Sequence, residues 1–304
     1  MIFFNNAIQR AGNYNLTIGD EKIPIAFNYP RNESRPIYWT QNELDSLINK
    51  VFESEIGAAG KIDQDFPTKI NGVVCPHAGI IFSGGVASWA YAVLSRIDPI
   101  DTFIIIGPNH RGLGRRASLS SAESWITPLG KVEVDQEMVD FFLSSSAIFT
   151  IDDRAHQFEH SCEIQIPFLQ HFIPFSFKIC PISLLDQTLE TVQIIGQVIN
   201  QISQQKKIVI IASTDFTHYE SDTVAREKDL ICIDNIIRLD GEEFFHCIHR
   251  KKISICGPGG VGALIEFQKN RHSFRGTLLC YATSGDINGQ YDQVVGYAAI
   301  AFPQ

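Results

Sequence analysis

The chain has 304 residues, of which 44% are hydrophobic and 19% charged, and its net charge is −9 at pH 7. The apolar fraction is sufficient for a large buried core, and the negative charge without a run of Lys or Arg argues against a nucleic-acid-binding surface. Seven cysteines, an odd number with no C-x-x-C pairing, indicate reduced and mostly buried thiols in a cytoplasmic protein.

Neither a signal peptide nor a membrane-spanning helix is predicted. The N-terminus lacks a basic segment followed by an apolar core. The apolar stretch 73–94 is interrupted by Pro76, His77 and glycines, which leaves too short a clean run to cross a bilayer. We therefore expect no membrane partner.

Strands and helices alternate along most of the chain. Thr40 is a predicted N-cap, and Glu43 lies where a capping box requires an acidic residue. Apolar runs predict strands at 73–74, 102–106, 118–125, 131–134, 177–182, 207–212, 276–282 and 294–302. Periodic segments predict helices at 43–55, 80–94, 135–144, 164–172, 189–203, 223–238, 241–250 and 261–270.

This alternation predicts an α/β fold with a central mixed, largely parallel sheet and helices on both of its faces. We expect a single domain over residues 36–304, preceded by a loose or partly ordered N-terminal extension at 1–35. The last two strands are expected to form a hairpin.

Polar side chains follow four predicted strand ends, the fourth of which is the short apolar segment 253–255. These side chains are His77, His110, Asp215 with His218, and Cys256. Because parallel strands share a carboxyl edge, residues far apart in the sequence can converge there in one crevice. A single histidine of this kind is more often an ordinary loop residue, and the repetition is what favours a site.

Two imidazoles and a thiolate form a borderline-soft ligand set. Such a set suits Fe(II), Cu or Zn and does not suit Mg or Ca. Three protein ligands leave coordination positions open for substrate, water or oxygen, as in a reactive metal site.

Cys256 differs from the other cysteines because glycines and then a helix follow it. The amides and dipole of that helix N-terminus are expected to lower the pKa of the thiol. The same turn could instead cradle a phosphate, although it lacks the Lys-Ser/Thr ending of a P-loop.

Asp215 and His218 are three residues apart and share a face if a helical turn starts there. His218 is then a candidate acid or base, with Asp215 orienting it or reaching the metal. The alternatives are an N-cap role for Asp215 and a surface position for His218. His160, which stands between Glu159 and Glu163, is a third candidate member of the catalytic group.

Six motifs in register resemble those of the Memo-like proteins, over roughly residues 39–302. They are CPHAG with the Ser-Gly-Gly that follows, GPNH, EHSCEIQIPFL, STDFTHY, CGPGG, and YATSGD with VVGYAAIAF. The resemblance implies an α/β fold similar to that of the class III extradiol dioxygenases, which are non-haem iron enzymes.

The same resemblance implies roles for individual residues. His77, His110 and Cys256 look like the metal ligands, with Cys256 where the dioxygenases carry a carboxylate. His218 falls where they keep an acid/base histidine, and Asp215 lies beside it. The family's members look like metal-binding, redox-linked proteins, and an animal member serves in signalling and cell motility. Bacterial and archaeal members are often associated with a radical-SAM protein and another companion protein.

Three functions follow for this chain. The first is redox or oxygen chemistry on a small substrate with iron, or alternatively copper, at the site. The second is a zinc-dependent hydrolase, and the third is a peptide- or partner-binding protein that uses the crevice without catalysis. Thiolate ligation favours the first, because a thiolate tunes redox metals. The expected partners are a small molecule or peptide and companion proteins that include a radical-SAM protein, with no nucleic acid.

Overall fold

A mixed sheet of eleven strands forms the centre of the structure, a computed structural model that describes residues 12–18, 21–27, 39–271 and 275–304. Helices cover the sheet, so the predicted α/β class is confirmed. A separate antiparallel pair of strands lies at residues 12–18 and 21–27. It falls within the predicted N-terminal extension, whose boundary at residue 35 lies outside the described residues and stays a prediction.

The strands are β1 (Gly12–Ile18), β2 (Glu21–Phe27), β3 (Ile70–Cys75), β4 (Thr102–Pro108), β5 (Ala117–Leu119), β6 (Ser124–Thr127), β7 (Gly130–Val134), β8 (Phe149–Ile151), β9 (Lys178–Leu184), β10 (Ile208–Ser213), β11 (His218–Glu220), β12 (Thr277–Thr283) and β13 (Val294–Pro303). The helices are α1 (Gln41–Phe52), α2 (Ile80–Leu94), α3 (Gln136–Ser145), α4 (Gln165–Phe172), α5 (Leu189–Ile202), α6 (Asp222–Ile237), α7 (Gly241–Lys251), α8 (Pro258–Asn270) and α9 (Ser284–Asn288).

Four parallel strands stand side by side in the middle of the sheet, in the order β3, β10, β4, β9. On one side β13 pairs antiparallel with β3, and both β12 and β11 pair antiparallel with β13. On the other side β5 runs antiparallel to β9, and β8 runs parallel to β5. The carboxyl ends of the four central strands therefore meet at one edge.

The central strands are buried on both faces, which is why they are continuous apolar runs in the sequence. Every residue of β3, β4 and β10 is buried. The closing hairpin of β12 and β13 and the capping box of Thr40 and Glu43 are also present. In these elements the local sequence signals and the final structure agree.

Three local expectations are wrong. The strand predicted at 118–125 is divided, because the hydroxyl groups of Ser120 and Ser121 and the amide of Ser121 all bind Asp153 instead of a neighbouring strand. Segment 253–255 forms no strand, so Cys256 lies in the loop between α7 and α8 and not at a strand end. No helical turn forms at 215–218 in the described structure; His218 instead begins β11 and pairs with Val295.

All seven cysteines are free thiols, as predicted, and only Cys256 and Cys280 are not fully buried. Among the residues that the structure describes, no helix combines the length and the apolar character that crossing a membrane requires. The apolar helix α2, with 15 residues, is instead packed inside the fold.

Candidate metal site at the carboxyl edge of the sheet

His77 is fixed at the end of β3 by contacts on both its backbone and its ring. Its amide donates to Asp215 Oδ1 at 2.8 Å, and its ring Nδ1 lies 2.9 Å from Ser213 Oγ. The side chain is 2% exposed. Its other ring nitrogen, Nε2, lies 3.1 Å from Cys256 Sγ. The contact with Ser213 thus fixes one side of the ring, and the nitrogen on its other side faces the thiol.

His110 follows β4 and is held by one buried carboxylate. Glu159 Oε2 accepts the amide of His110 at 2.6 Å, and Glu159 Oε1 lies 2.9 Å from its ring Nδ1. An ionised carboxylate only accepts hydrogen bonds, so Nδ1 carries a proton and Nε2 is the nitrogen left to bind a metal. A carboxylate behind a histidine in this way is typical of metal-binding imidazoles.

Cys256 reaches the same place because a glycine follows it. A Cβ atom at Gly257 would lie 2.4 Å from the carbonyl oxygen of Ser213, so only glycine lets this loop approach the end of β10. The sulfur of Cys256 accepts the amide of Asp215 at 3.1 Å. The loop before α8 therefore docks directly on the segment that follows β10.

The structure brings His77, His110 and Cys256 together as one group. Each offers a ligand atom, and these atoms all lie within 4.8 Å of one another. A second group, Asp215, His218 and Cys256, meets the same criterion and shares the thiol. Two borderline nitrogens and a sulfur match the donors that iron, copper and zinc accept, so the residues present fit a transition metal.

The distance between His77 and Cys256 fits such an ion as well. His77 Nε2 and Cys256 Sγ lie 3.1 Å apart, so a hydrogen bond joins them in the metal-free protein. A cation bound by both atoms would displace the thiol proton, which is the usual linkage between thiolate ligation and proton release.

The expected lowering of the pKa of Cys256 by its glycine-rich turn is wrong for the metal-free protein. Burial and the neighbouring Asp215 raise the pKa of the thiol, and the amide that reaches the sulfur belongs to Asp215. Burial also lowers the pKa of His77, with further contributions from His160 and His110. His77 is therefore a neutral imidazole with a free lone pair at neutral pH.

His218 lies in the crevice, but its orienting partner is not the predicted one. Its amide donates to Ser254 Oγ at 2.7 Å, and its ring Nδ1 lies 2.8 Å from the carbonyl oxygen of Ser254. A carbonyl only accepts, so Nδ1 is protonated and Nε2 is free to take up a proton. Asp215 contacts the other side of the site instead, where its Oδ1 accepts the amides of His77 and Ala78.

His160 lies against both candidate imidazole ligands. Its ring stacks on that of His110 at 5.0 Å between centroids and meets the ring of His77 edge-on at 5.4 Å. Burial lowers the pKa of His160 to about 4, against the opposing effect of Glu159. His160 is therefore neutral at pH 7 and packs against the rings of both His77 and His110.

Residues that the sequence did not single out hold the site together. Glu159 positions His110, Ser254 orients His218, and Ser213 contacts His77. Glu159 directly precedes His160 in the EHSCEIQIPFL motif, and this position in the motif could have identified it as a site residue. Ser213 and Ser254 act through contacts between distant segments, and neither carries a local signal.

The fold and the sequence were compared with those of known proteins. The crystal structure of the uncharacterized protein JW3007 from Escherichia coli K12 superposes with a TM-score of 0.54, covering 77% of this chain and 100% of that one, at 10% identity. At that identity the likeness concerns the fold alone.

Sequence relatives are much closer. A MEMO1 family protein from Nitrosopumilus maritimus is 38% identical over 263 residues, which are 86% of this chain and 94% of the relative. MEMO1 family proteins from Methanopyrus kandleri and Methanosarcina acetivorans are 40% and 44% identical, over 86% and 76% of this chain and 93% and 85% of their own lengths. The family model described as Memo-like protein matches residues 38–301. The chain therefore belongs to the Memo-like protein family.

Proposed function

We propose that the chain holds a redox-active transition metal, iron or alternatively copper, through His77, His110 and Cys256, and performs redox or oxygen chemistry on a small substrate. The observation that carries this proposal is the convergence of the three donors, two from strand ends and one from the loop before α8, to within 4.8 Å. A group of three protein donors leaves coordination positions for a substrate or oxygen. Thiolate ligation favours redox chemistry over hydrolysis, because a thiolate tunes redox metals and is itself oxidisable.

A metal held by His77, His110 and Cys256 would supply electron transfer. The chain's own residues hold the site and move protons. His218 can accept a proton at Nε2 while its Nδ1 stays bound to the carbonyl of Ser254. Burial raises the pKa of Asp215, and the amide of His77 opposes this rise, so this carboxyl is a second group able to hold a proton near the site.

A binding role for the same crevice is the second candidate, and Tyr219 supports it. This tyrosine directly follows His218, is 74% exposed, and has a φ of +59°, a conformation that is strained for a tyrosine. An exposed aromatic ring held in a strained backbone next to His218 is suited to contact a peptide or partner. Catalysis and partner binding can both use this surface.

The test compares His218→Ala with Cys256→Ser in protein purified without oxygen. The metal content of each is measured, followed by oxygen uptake with a panel of reductants that includes ascorbate and catechols. We expect His218→Ala to keep its metal and to lose about 10²–10⁴-fold in turnover. Cys256→Ser should lose metal, because a hydroxyl binds a borderline ion poorly.

Other outcomes contradict the proposal. If His218→Ala removes the metal as fully as Cys256→Ser, His218 is a ligand and its assigned role is wrong. If the unaltered protein keeps its metal but supports no oxygen uptake, a metal hydrolase or a binding protein replaces the redox proposal. If neither variant alters the metal content, the crevice is a peptide- or partner-binding surface.

A further inference from the structure

A buried chain of hydrogen bonds lies behind His77, on the side away from Cys256. Ser213 Oγ is its centre, with three polar neighbours: His77 Nδ1 at 2.9 Å, Gln165 Nε2 at 2.9 Å and the carbonyl oxygen of Ser161 at 2.6 Å. Ser213 is fully buried, and Gln165 is 1% exposed. Every proton in this network therefore has to find a partner inside the protein.

The orientation of the Gln165 amide is fixed by its other contacts. Its Nε2 lies 3.0 Å from the carbonyl oxygen of Pro76, which can only accept. Its Oε1 accepts the hydroxyl of Tyr91, a side chain that is fully buried. The amide nitrogen therefore points at both Pro76 and Ser213, and it donates to the hydroxyl oxygen of Ser213.

The direction of the next bond then follows. A serine hydroxyl has one proton, and the proton of Ser213 goes to the carbonyl of Ser161, which cannot donate. The oxygen of Ser213 can therefore only accept hydrogen bonds from Gln165 and His77. The Nδ1 atom of His77 must therefore carry a proton, and its Nε2 must carry the lone pair that faces Cys256.

We propose that Gln165 and Ser213 are positioning residues that hold His77 in the tautomer with a free Nε2, so that the imidazole is a ready ligand before any metal arrives. The consequence of this tautomer for metal binding rests on the proposed function. The tautomer itself is a property of the metal-free protein and can be measured independently. His110 and His218 reach the same tautomer by the shorter route of a single carboxylate or carbonyl acceptor.

The experiment is a long-range ¹H–¹⁵N correlation spectrum of metal-free protein with ¹⁵N-labelled histidine, with the signals of His77 identified by their loss in His77→Gln. Two test variants are Ser213→Ala, which removes the acceptor, and Gln165→Met, which removes the amide and keeps the hydroxyl. The matched control is Ser183→Ala. Ser183 is also fully buried, in β9, and it donates to the carbonyl of Ala155 at 3.2 Å and not to a histidine.

We expect His77 to be protonated at Nδ1 in the unaltered protein and in Ser183→Ala. In Ser213→Ala the Nε2-protonated form should become populated, and in Gln165→Met it should appear to a smaller extent. Co(II) affinity should fall in the same order, by about 10–100-fold for Ser213→Ala, as is usual when the partner behind a ligating histidine is removed. Ser183→Ala should bind Co(II) like the unaltered protein.

A His77 that is protonated at Nε2 in the unaltered protein overturns the proposal, and so does an unchanged tautomer in both test variants. If Ser213→Ala does not fold by circular dichroism, the spectrum of Gln165→Met decides. If the tautomer shifts as expected while the unaltered protein binds no Co(II), the positioning role stands and the metal-binding proposal fails.

Discussion

Replacing Glu159 by glutamine tests how the metal site is built. One carboxylate, 3% exposed, accepts hydrogen bonds from His110 at both its amide and Nδ1, and from the amides of His160 and Ser161. Glutamine has the same shape but offers one accepting oxygen and a donating NH₂ group. Whichever way the new amide turns, at least one buried N–H faces another donor.

The expected loss of stability can be worked out from the pKa of Glu159. Burial by itself raises this pKa, but the hydrogen bond and charge of His110, with smaller effects of His160 and Ser161, lower it from 4.5 to about 2. A difference of this size corresponds to roughly 3 kcal/mol of stability above pH 4.5, which disappears as the pH falls through about 2. A newly unpaired buried donor costs about 1–3 kcal/mol, which is the same order.

The assay is urea unfolding at pH 7 and at pH 3, followed by circular dichroism. We expect Glu159→Gln to lower the free energy of unfolding by about 2–4 kcal/mol at pH 7. Because the lowered pKa stabilises the fold only above the unfolded value, the unaltered protein should lose roughly 2 kcal/mol more than Glu159→Gln between pH 7 and pH 3. Comparing the two proteins removes the contributions of all other titrating groups.

The matched control is Glu133→Gln, because Glu133 has a 64% exposed side chain and only a 4.0 Å contact with Lys178. Its effect should stay within about 0.5 kcal/mol, as is usual for surface changes. Equal stability of Glu159→Gln and the unaltered protein at pH 7, or equal losses on acidification, would refute the structural role of the Glu159 carboxylate.

Two further predictions concern the rest of the fold. A Cβ atom at Gly296 would lie 1.9 Å from Asp229 Oδ2, which is already hydrogen-bonded to Tyr281. Gly296→Ala should therefore lower the free energy of unfolding in urea by about 1–3 kcal/mol or more. An unchanged free energy of unfolding would contradict this packing. All seven cysteines should react with a thiol reagent in denaturant without reductant; a lower count in freshly prepared protein points to a disulfide.

The parts of the fold that the sequence predicts are those with a local signal. The apolar runs of β3, β4 and β10 mark strands buried on both faces, and the capping box of Thr40 needs only residues within one turn. The meeting of His77 and His110 follows from one general rule, that parallel strands end at the same edge, whereas Cys256 joins them from the loop before α8. These inferences needed no knowledge of distant contacts.

The failures involve contacts that no local pattern contains. Asp215 and His218 have helical spacing, but the amide of Phe216 and the carbonyl of Thr217 pair with Gly296 near the other end of the chain, which draws the segment into the sheet. His218 is then oriented by Ser254, 36 residues away. The expected pKa of Cys256 is wrong for a similar reason, because its burial depends on strands that its own loop sequence does not reveal.

Titration of the metal-free protein with Co(II), followed by absorbance, tests the central claim most directly. One ion per chain should bind, with an intense near-ultraviolet band from thiolate-to-metal charge transfer, because Cys256 supplies a sulfur ligand beside the imidazoles of His77 and His110. Cys256→Ser should abolish this band, and Cys280→Ser, which alters the other partly exposed cysteine, should leave it unchanged. No binding, or the same band in Cys256→Ser, would contradict the metal site.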